Sequence, residues 1–173
     1  ETYHVLGTHP QLAWMLEDMD VQIDCYDKHN RYLIPFGCVS THIEDGTPIA
    51  EALRVFMESN GLDPETFDGN GLDVRRGIQK HLRENGEAMG YDFSDMNDDQ
   101  LTDDYHYLIF PNMTFNTHCN SVMVFRQRPH PSDPNKMFYD VQNYSTIPKG
   151  QERPERPPHR QWKHGEDSLG EVL

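Results

Sequence analysis

Apolar positions along this chain recur with two different periods, and the alternation between them divides it into helical and extended stretches. From Pro10 to Met19, Leu12, Met15 and Leu16 fall at helical spacing with Trp14 flanking them, so a helix that begins upstream is expected to continue through this segment. Val21 to Tyr26 and Tyr32 to Val39 read as strands, with Asp27-Lys28-His29-Asn30 as the turn between them and His29 as a turn residue. Thr47 to Ser59 reads as a helix, with Thr47 as N-cap, Pro48 in the first turn and Gly61 as the stop. Its face Ile49, Leu53, Phe56 and Met57 is ordinary core. A second helix is predicted from about Val74 to Asn85, where Arg75, Arg76, Lys80, His81 and Arg83 would form a solvated basic face.

Six aspartates lie between Asp92 and Asp104, but without the central Gly and final Glu of a calcium-binding loop. Three strands follow: Tyr105–Pro111, Ser121–Arg128 and Met137–Tyr144, rich in β-branched and aromatic residues and separated by Pro- or Asp/Asn-rich loops. Ile147 to His164, dominated by Pro, Arg, Gln and Glu, reads as an extended connection, and Glu166 to Leu173 as the start of a last helix. A helix, a strand pair, further helices and then consecutive strands make an α+β chain with an antiparallel sheet.

Composition narrows the class. A length of 173 residues suits one domain, one that buries about 70% of its unfolded surface. A net charge of −14 argues against nucleic acid and anionic membrane surfaces, which both call for Lys/Arg patches. No run approaches the ~20 apolar residues of a membrane-spanning helix, and there is no signal-peptide pattern. Cys25, Cys38 and Cys119 are few and far apart, as in a reducing, cytoplasmic compartment. The chain starts inside a motif and without Met, so it is expected to be a piece of a longer protein.

The densest chemistry stands in the first nine residues, Glu1-Thr2-Tyr3-His4-Val5-Leu6-Gly7-Thr8-His9. Two imidazoles and a carboxylate form the facial triad of non-haem Fe(II) oxygenases. His4 and His9 are five apart, roughly 140° around a regular helix, so a shared metal needs a widened turn or a break between them. Gly7 makes such a departure cheap. The bland reading is a polar helix start with two unrelated histidines.

The string Glu1-x-x-His4-x-x-x-x-His9 resembles the mononuclear iron motif of the Rieske-type aromatic-ring-hydroxylating oxygenases. A second resemblance lies in Tyr105-His106-Tyr107-Leu108-Ile109-Phe110-Pro111-Asn112, followed by Val124 to Pro129 and Asp133-Pro134, which is similar to strands of the same catalytic domain. The resemblance implies a helix-grip (START-like) fold, an antiparallel sheet curved around a long C-terminal helix, truncated here at both ends. Residues 1–173 would be a partial catalytic domain. The chain has no Cys-x-His with Cys-x-x-His, so the Rieske domain is expected elsewhere in the parent protein.

The resemblance further implies that His4 and His9 bind Fe(II). Glu1, where many members carry Asp, would bridge electron entry from a neighbouring subunit's [2Fe-2S] Rieske cluster. The family's third ligand is an Asp on the last helix. Leu169-Gly170-Glu171-Val172-Leu173 matches the pattern that precedes it, placing that ligand just past Leu173, with Asp167 as the alternative inside the chain. Val5 and Trp162 are candidates to touch substrate, and His106 and His118 could face the pocket, although structural roles explain the two histidines as well. Implied partners are O2, an aromatic or other apolar substrate from aromatic hydrocarbon catabolism, and NAD(P)H acting through a reductase or ferredoxin. Assembly as a trimer is implied too. Either monooxygenase or dioxygenase chemistry fits, and the fragment alone would be inactive. Two rivals are a metal-free helix-grip domain carrying an apolar ligand and a zinc hydrolase, the latter lacking any His-Glu-x-x-His.

Overall fold

A computed structural model describes residues 7–18, 21–43, 49–163 and 166. Its centre is one six-stranded antiparallel sheet in simple sequence order: β1 (Gln22–Cys25), β2 (His29–Ile34), β3 (Asp104–Ile109), β4 (Met113–Thr117), β5 (Ser121–Pro129) and β6 (Met137–Ser145). Every neighbouring pair is antiparallel, which short hairpins allow, except that β2 and β3 are joined by the long helical excursion. His29 opens β2 instead of sitting in the turn, and its Nδ1 accepts a hydrogen bond from the Phe110 backbone N–H at 3.1 Å. β4 has no counterpart among the expected strands. Cross-strand ion pairs brace both ends of the sheet. Arg31 holds its register partner Asp24 at 2.5–2.8 Å, and Arg128 holds Asp140 at 2.6 and 2.8 Å while its guanidinium lies over Phe138.

The helices form a separate apolar cluster beside the sheet. They are α1 (Glu51–Ser59), α2 (Val74–Asn85) and α3 (Asp98–Thr102). Val74, Ile78 and Leu82 repeat every four residues and so share one face of α2; they are buried with Leu53 and Met57 of α1, Val39, Phe93 and Leu101. Ile49 and Phe56 pack at the margin of this core, as the helical pattern predicts. The predicted cap residues Thr47 and Pro48 lie outside the described residues; the observed N-cap is Ala50. Gly61 does end α1, at φ +79°, a backbone conformation glycine adopts without a Cβ penalty. Asn97 and Gln100 form a reciprocal capping box on α3, each side chain bonding the other's backbone N–H at 2.8 Å.

The basic face of α2 is not simply solvated. Arg75 donates to the Phe36 carbonyl at 2.8 Å, to Asp99 at 2.8 Å and to Asp103, while Arg83 reaches Asp98 at 3.0 Å. These contacts clamp α3 to α2, and so use part of the aspartate-rich stretch. Burial pushes the Asp103 carboxyl up, against the pull of Arg75. The tail after Ser145 is extended and exposed as expected, anchored where Lys149 N–H donates to the Gly90 carbonyl at 2.7 Å. Gly90 stands at φ +89°, and a Cβ there would lie 2.8 Å from the Lys149 nitrogen. No described helix is long and apolar enough to cross a membrane.

Candidate functional site

The segment after Thr8 does not continue as one helix to Met19. Gly7 and Thr8 are helical, His9 leaves the helical region at φ −130° and ψ 56°, and a short 3-10 helix then runs from Pro10 to Trp14. The cause is Pro10: a proline ring crowds the preceding residue out of the α region. His9 itself thus leaves the helix while Gly7 stays in it, and the stretch from His4 to Leu6 lies outside the described residues. Beyond the 3-10 helix the chain turns extended. Leu16 bridges Phe36, and the backbone of Glu17 donates to the Pro35 carbonyl at 2.8 Å.

This segment packs against one side of the sheet. Leu12, whose N–H returns to the His9 carbonyl at 2.9 Å, joins Leu16, Ile34, Val21, Tyr32 and Phe36 in a second apolar cluster. Ile34 and Tyr32 alternate on the same side of β2, and the register carries that side across the sheet. Tyr32 stands opposite His106, His106 opposite Asn116, and Asn116 opposite Met123. The Tyr32 and His106 rings meet edge to face at 5.6 Å, and the His118 ring meets Phe36 in the same way at 5.6 Å. Desolvation holds the His118 imidazole below its ordinary pKa, which favours the neutral ring. Asn116 Oδ1 is buried without a hydrogen-bond partner among the described residues.

A second polar group lies just downstream of the same segment. Asp18, 1% exposed, and Glu17 converge with Ser40, Thr41 and His42 from the chain after β2. Ser40 Oγ donates to Asp18, lies 3.1 Å from Glu17 Oε1 and is 2.8 Å from His42 Nδ1. Thr41 N–H donates to Glu17 Oε2 at 2.9 Å, and His42 Nδ1 is 3.0 Å from Asp18 Oδ1. The period of the hydrophobic pattern could not reveal this group, because its members come together across more than twenty residues of sequence.

Of the residues singled out from sequence, Glu1, His4, Val5 and Asp167 lie outside the described residues, so their meeting with His9 is not on view. Among the described residues no three His, Cys, Asp or Glu side chains are grouped to hold a metal ion. Trp162 is half-buried near the end of the tail. A cavity of about 280 Å³ opens beside the 3-10 helix, lined by Gln11, Trp14, Ala50, Glu51 and Ala52. A larger one of about 570 Å³ lies between the end of α2 and the Gly90–Lys149 contact, and neither His9 nor any strand residue lines it.

The family model described as ring hydroxylating alpha subunit (catalytic domain) matches residues 1–162. The chain belongs to this family of ring-hydroxylating oxygenases, and its antiparallel sheet with accompanying helices accords with the family's helix-grip α+β fold. Neither the search of curated proteins nor that of solved structures gave a match.

Proposed function

We propose that residues 1–173 form part of the mononuclear iron domain of a Rieske-type oxygenase that hydroxylates an aromatic or other apolar substrate with O2. The observation that carries this reading is the backbone break at His9, within a family match that spans the Glu-x-x-His-x-x-x-x-His string. His4 and His9 would hold Fe(II) together with a carboxylate from the C-terminal helix, either one following Leu173 or Asp167. Bound Fe(II) would supply the O2 chemistry, with coordination positions left open by a two-histidine, one-carboxylate set.

The chain's own residues have other tasks. Pro10 keeps His9 turned out of the helix, and Leu12 and Leu16 seat that segment on the sheet. The apolar side chains of the same sheet face, with Val5 and Trp162, would shield the substrate from water. Glu1 would carry the electron path from the Rieske cluster of a neighbouring subunit in a trimer. That cluster, in a separate domain of the parent protein, would be reduced by NAD(P)H through a reductase or ferredoxin. The three scattered cysteines and the family support a cytoplasmic setting.

The test is made in the full-length protein. His4→Ala and His9→Ala should each lose the mononuclear iron while the visible spectrum of the Rieske cluster persists. Glu1→Gln should keep that iron and lose coupled turnover. Wild-type iron content in both histidine variants would overturn the assignment, and unchanged binding of an apolar ligand in them would favour a metal-free carrier.

A further inference from the structure

Asn116 sits in an unusual place. Asparagine is depleted from strands, yet this one occupies the fourth of the five positions of β4, an inner strand of the sheet, where Thr, Val or Ile would be the ordinary choice. Its Oδ1 is buried and accepts no hydrogen bond among the described residues. Buried polar atoms without partners are few in native proteins, and each one asks for a group that satisfies it. The neighbours of Asn116 in the register do not do so: His106 on one side lies edge-on to Tyr32, and Met123 on the other offers only a thioether, itself a weak acceptor.

The surroundings suggest what the missing partner is. On this side of the sheet Ile34 and Tyr32 pack against Leu12 and Leu16, and beside Asn116 the half-buried Met123 and Phe125 add apolar and aromatic surface suited to a flat ring. It is also the side on which Leu12 and Leu16 seat the His9 segment, so the orphan acceptor and the proposed iron ligand belong to one face. An acceptor standing in apolar surface discriminates by hydrogen bonding: a ligand that supplies a donor satisfies it, and one that lacks the donor leaves it stranded.

We propose that Asn116 is a specificity-determining residue whose amide oxygen accepts a hydrogen bond from the substrate, so that the substrate is an arene carrying an O–H or N–H group rather than a plain hydrocarbon. This rests on the oxygenase reading above and narrows its substrate class.

The test uses the full-length protein with its iron content measured first, and three probes of similar size: phenol, anisole and toluene. Dissociation constants are taken by anaerobic equilibrium dialysis. The wild type is expected to bind phenol about tenfold or more tightly than anisole or toluene, because only phenol brings a donor. Asn116→Leu, which keeps the size and removes the acceptor, should abolish that preference and bind toluene at least as well as phenol. Equal binding of phenol and anisole by the wild type overturns the proposal, as does a phenol preference that survives in Asn116→Leu. If the leucine variant does not fold, the wild-type ratio of phenol to anisole decides alone. A wild type that takes up no mononuclear iron is a different failure: it brings down the oxygenase reading, and this inference with it.

Discussion

Ser40→Ala should destabilise the protein far more than the loss of one oxygen atom suggests. The Ser40 hydroxyl stands between two carboxylates, donating to Asp18 and lying 3.1 Å from Glu17 Oε1, with His42 Nδ1 at 2.8 Å. Asp18 is almost wholly buried, and among the described residues its Oδ2 already has no hydrogen-bond partner. Without the hydroxyl, the one remaining contact of Asp18 in this group is His42 Nδ1 at 3.0 Å. A buried acceptor left short of a donor costs about 1–3 kcal/mol, and a charged one lies at the upper end. The single hydroxyl proton serves the buried Asp18, so the expected loss is about 3 kcal/mol, the upper end of that range. At about 2–4 °C per kcal/mol for a chain of this size, the melting temperature should fall by about 6–12 °C. Thermal unfolding at pH 7, followed by circular dichroism, reads this directly, with Ser145→Ala at the exposed end of β6 as the neutral control. Adding Asp18→Asn to Ser40→Ala should recover part of the loss, since removing both partners of a buried contact costs less than stranding one. A Ser40→Ala melting temperature within about 2 °C of wild type would refute the account.

Two further outcomes follow from buried titratable groups. Burial lowers the His118 pKa, so the folded state binds its proton less readily than the unfolded chain does. The stability this neutral ring contributes is complete above about pH 6.5 and is lost as the pH falls toward the folded value, with a slope of at most about 1.4 kcal/mol per pH unit. His118→Asn should flatten that part of the melting profile between pH 7.5 and 5.5, and an unchanged difference between the two pH values would count against it. Among the thiols, burial pushes Cys38 up to about 11 and raises Cys119, whereas Cys25 is exposed on the edge strand β1. A disulfide reagent at pH 8 should therefore label one thiol rapidly and the other two only in denaturant. Rapid labelling of Cys38 would refute its burial.

What was legible in the sequence followed the range of the interactions responsible. α2 was readable at both ends because Val74, Ile78 and Leu82 repeat every four residues and nothing distant is needed to place them. The antiparallel α+β class was readable for the same reason, from strand-like runs close together in the chain. β4 was not: Met113-Thr114-Phe115-Asn116-Thr117 is short, half polar, and joined to β3 by only Phe110, Pro111 and Asn112, so it read as loop. Losing that strand hid Asn116, whose interest depends entirely on its place in the register. The basic face of α2 was misread because a helical surface pattern cannot show that Asp98, Asp99 and Asp103 will dock on it. The Glu17–Asp18–Ser40–His42 group was hidden likewise, since its residue types are ordinary and only tertiary folding brings them together.

Pro10 tests whether local backbone chemistry, rather than tertiary packing, sets the orientation of His9. Leu12, Met15 and Leu16 fit a continuing α-helix as well as they fit the observed 3-10 turn and extended return, so side-chain pattern does not choose between them. Proline does, by excluding its predecessor from the α region. In Pro10→Ala that exclusion is lifted, and His9 can join the helical residues Gly7 and Thr8, turning its imidazole away from the direction it now takes. Stability should change little. The unfolded chain gains freedom worth about 0.4–1 kcal/mol, and the better helix propensity of alanine offsets part of it. Iron retention in the full-length protein should nevertheless drop by about tenfold or more, comparable to the loss of a residue that orients a metal ligand. Paired measurements of melting temperature and iron stoichiometry separate the possibilities. Lost iron at nearly constant melting temperature supports a backbone device that aims His9. Retained iron would mean that contacts such as Leu12 and Leu16 against Tyr32 and Ile34 hold the break without the proline, and the local argument would be wrong.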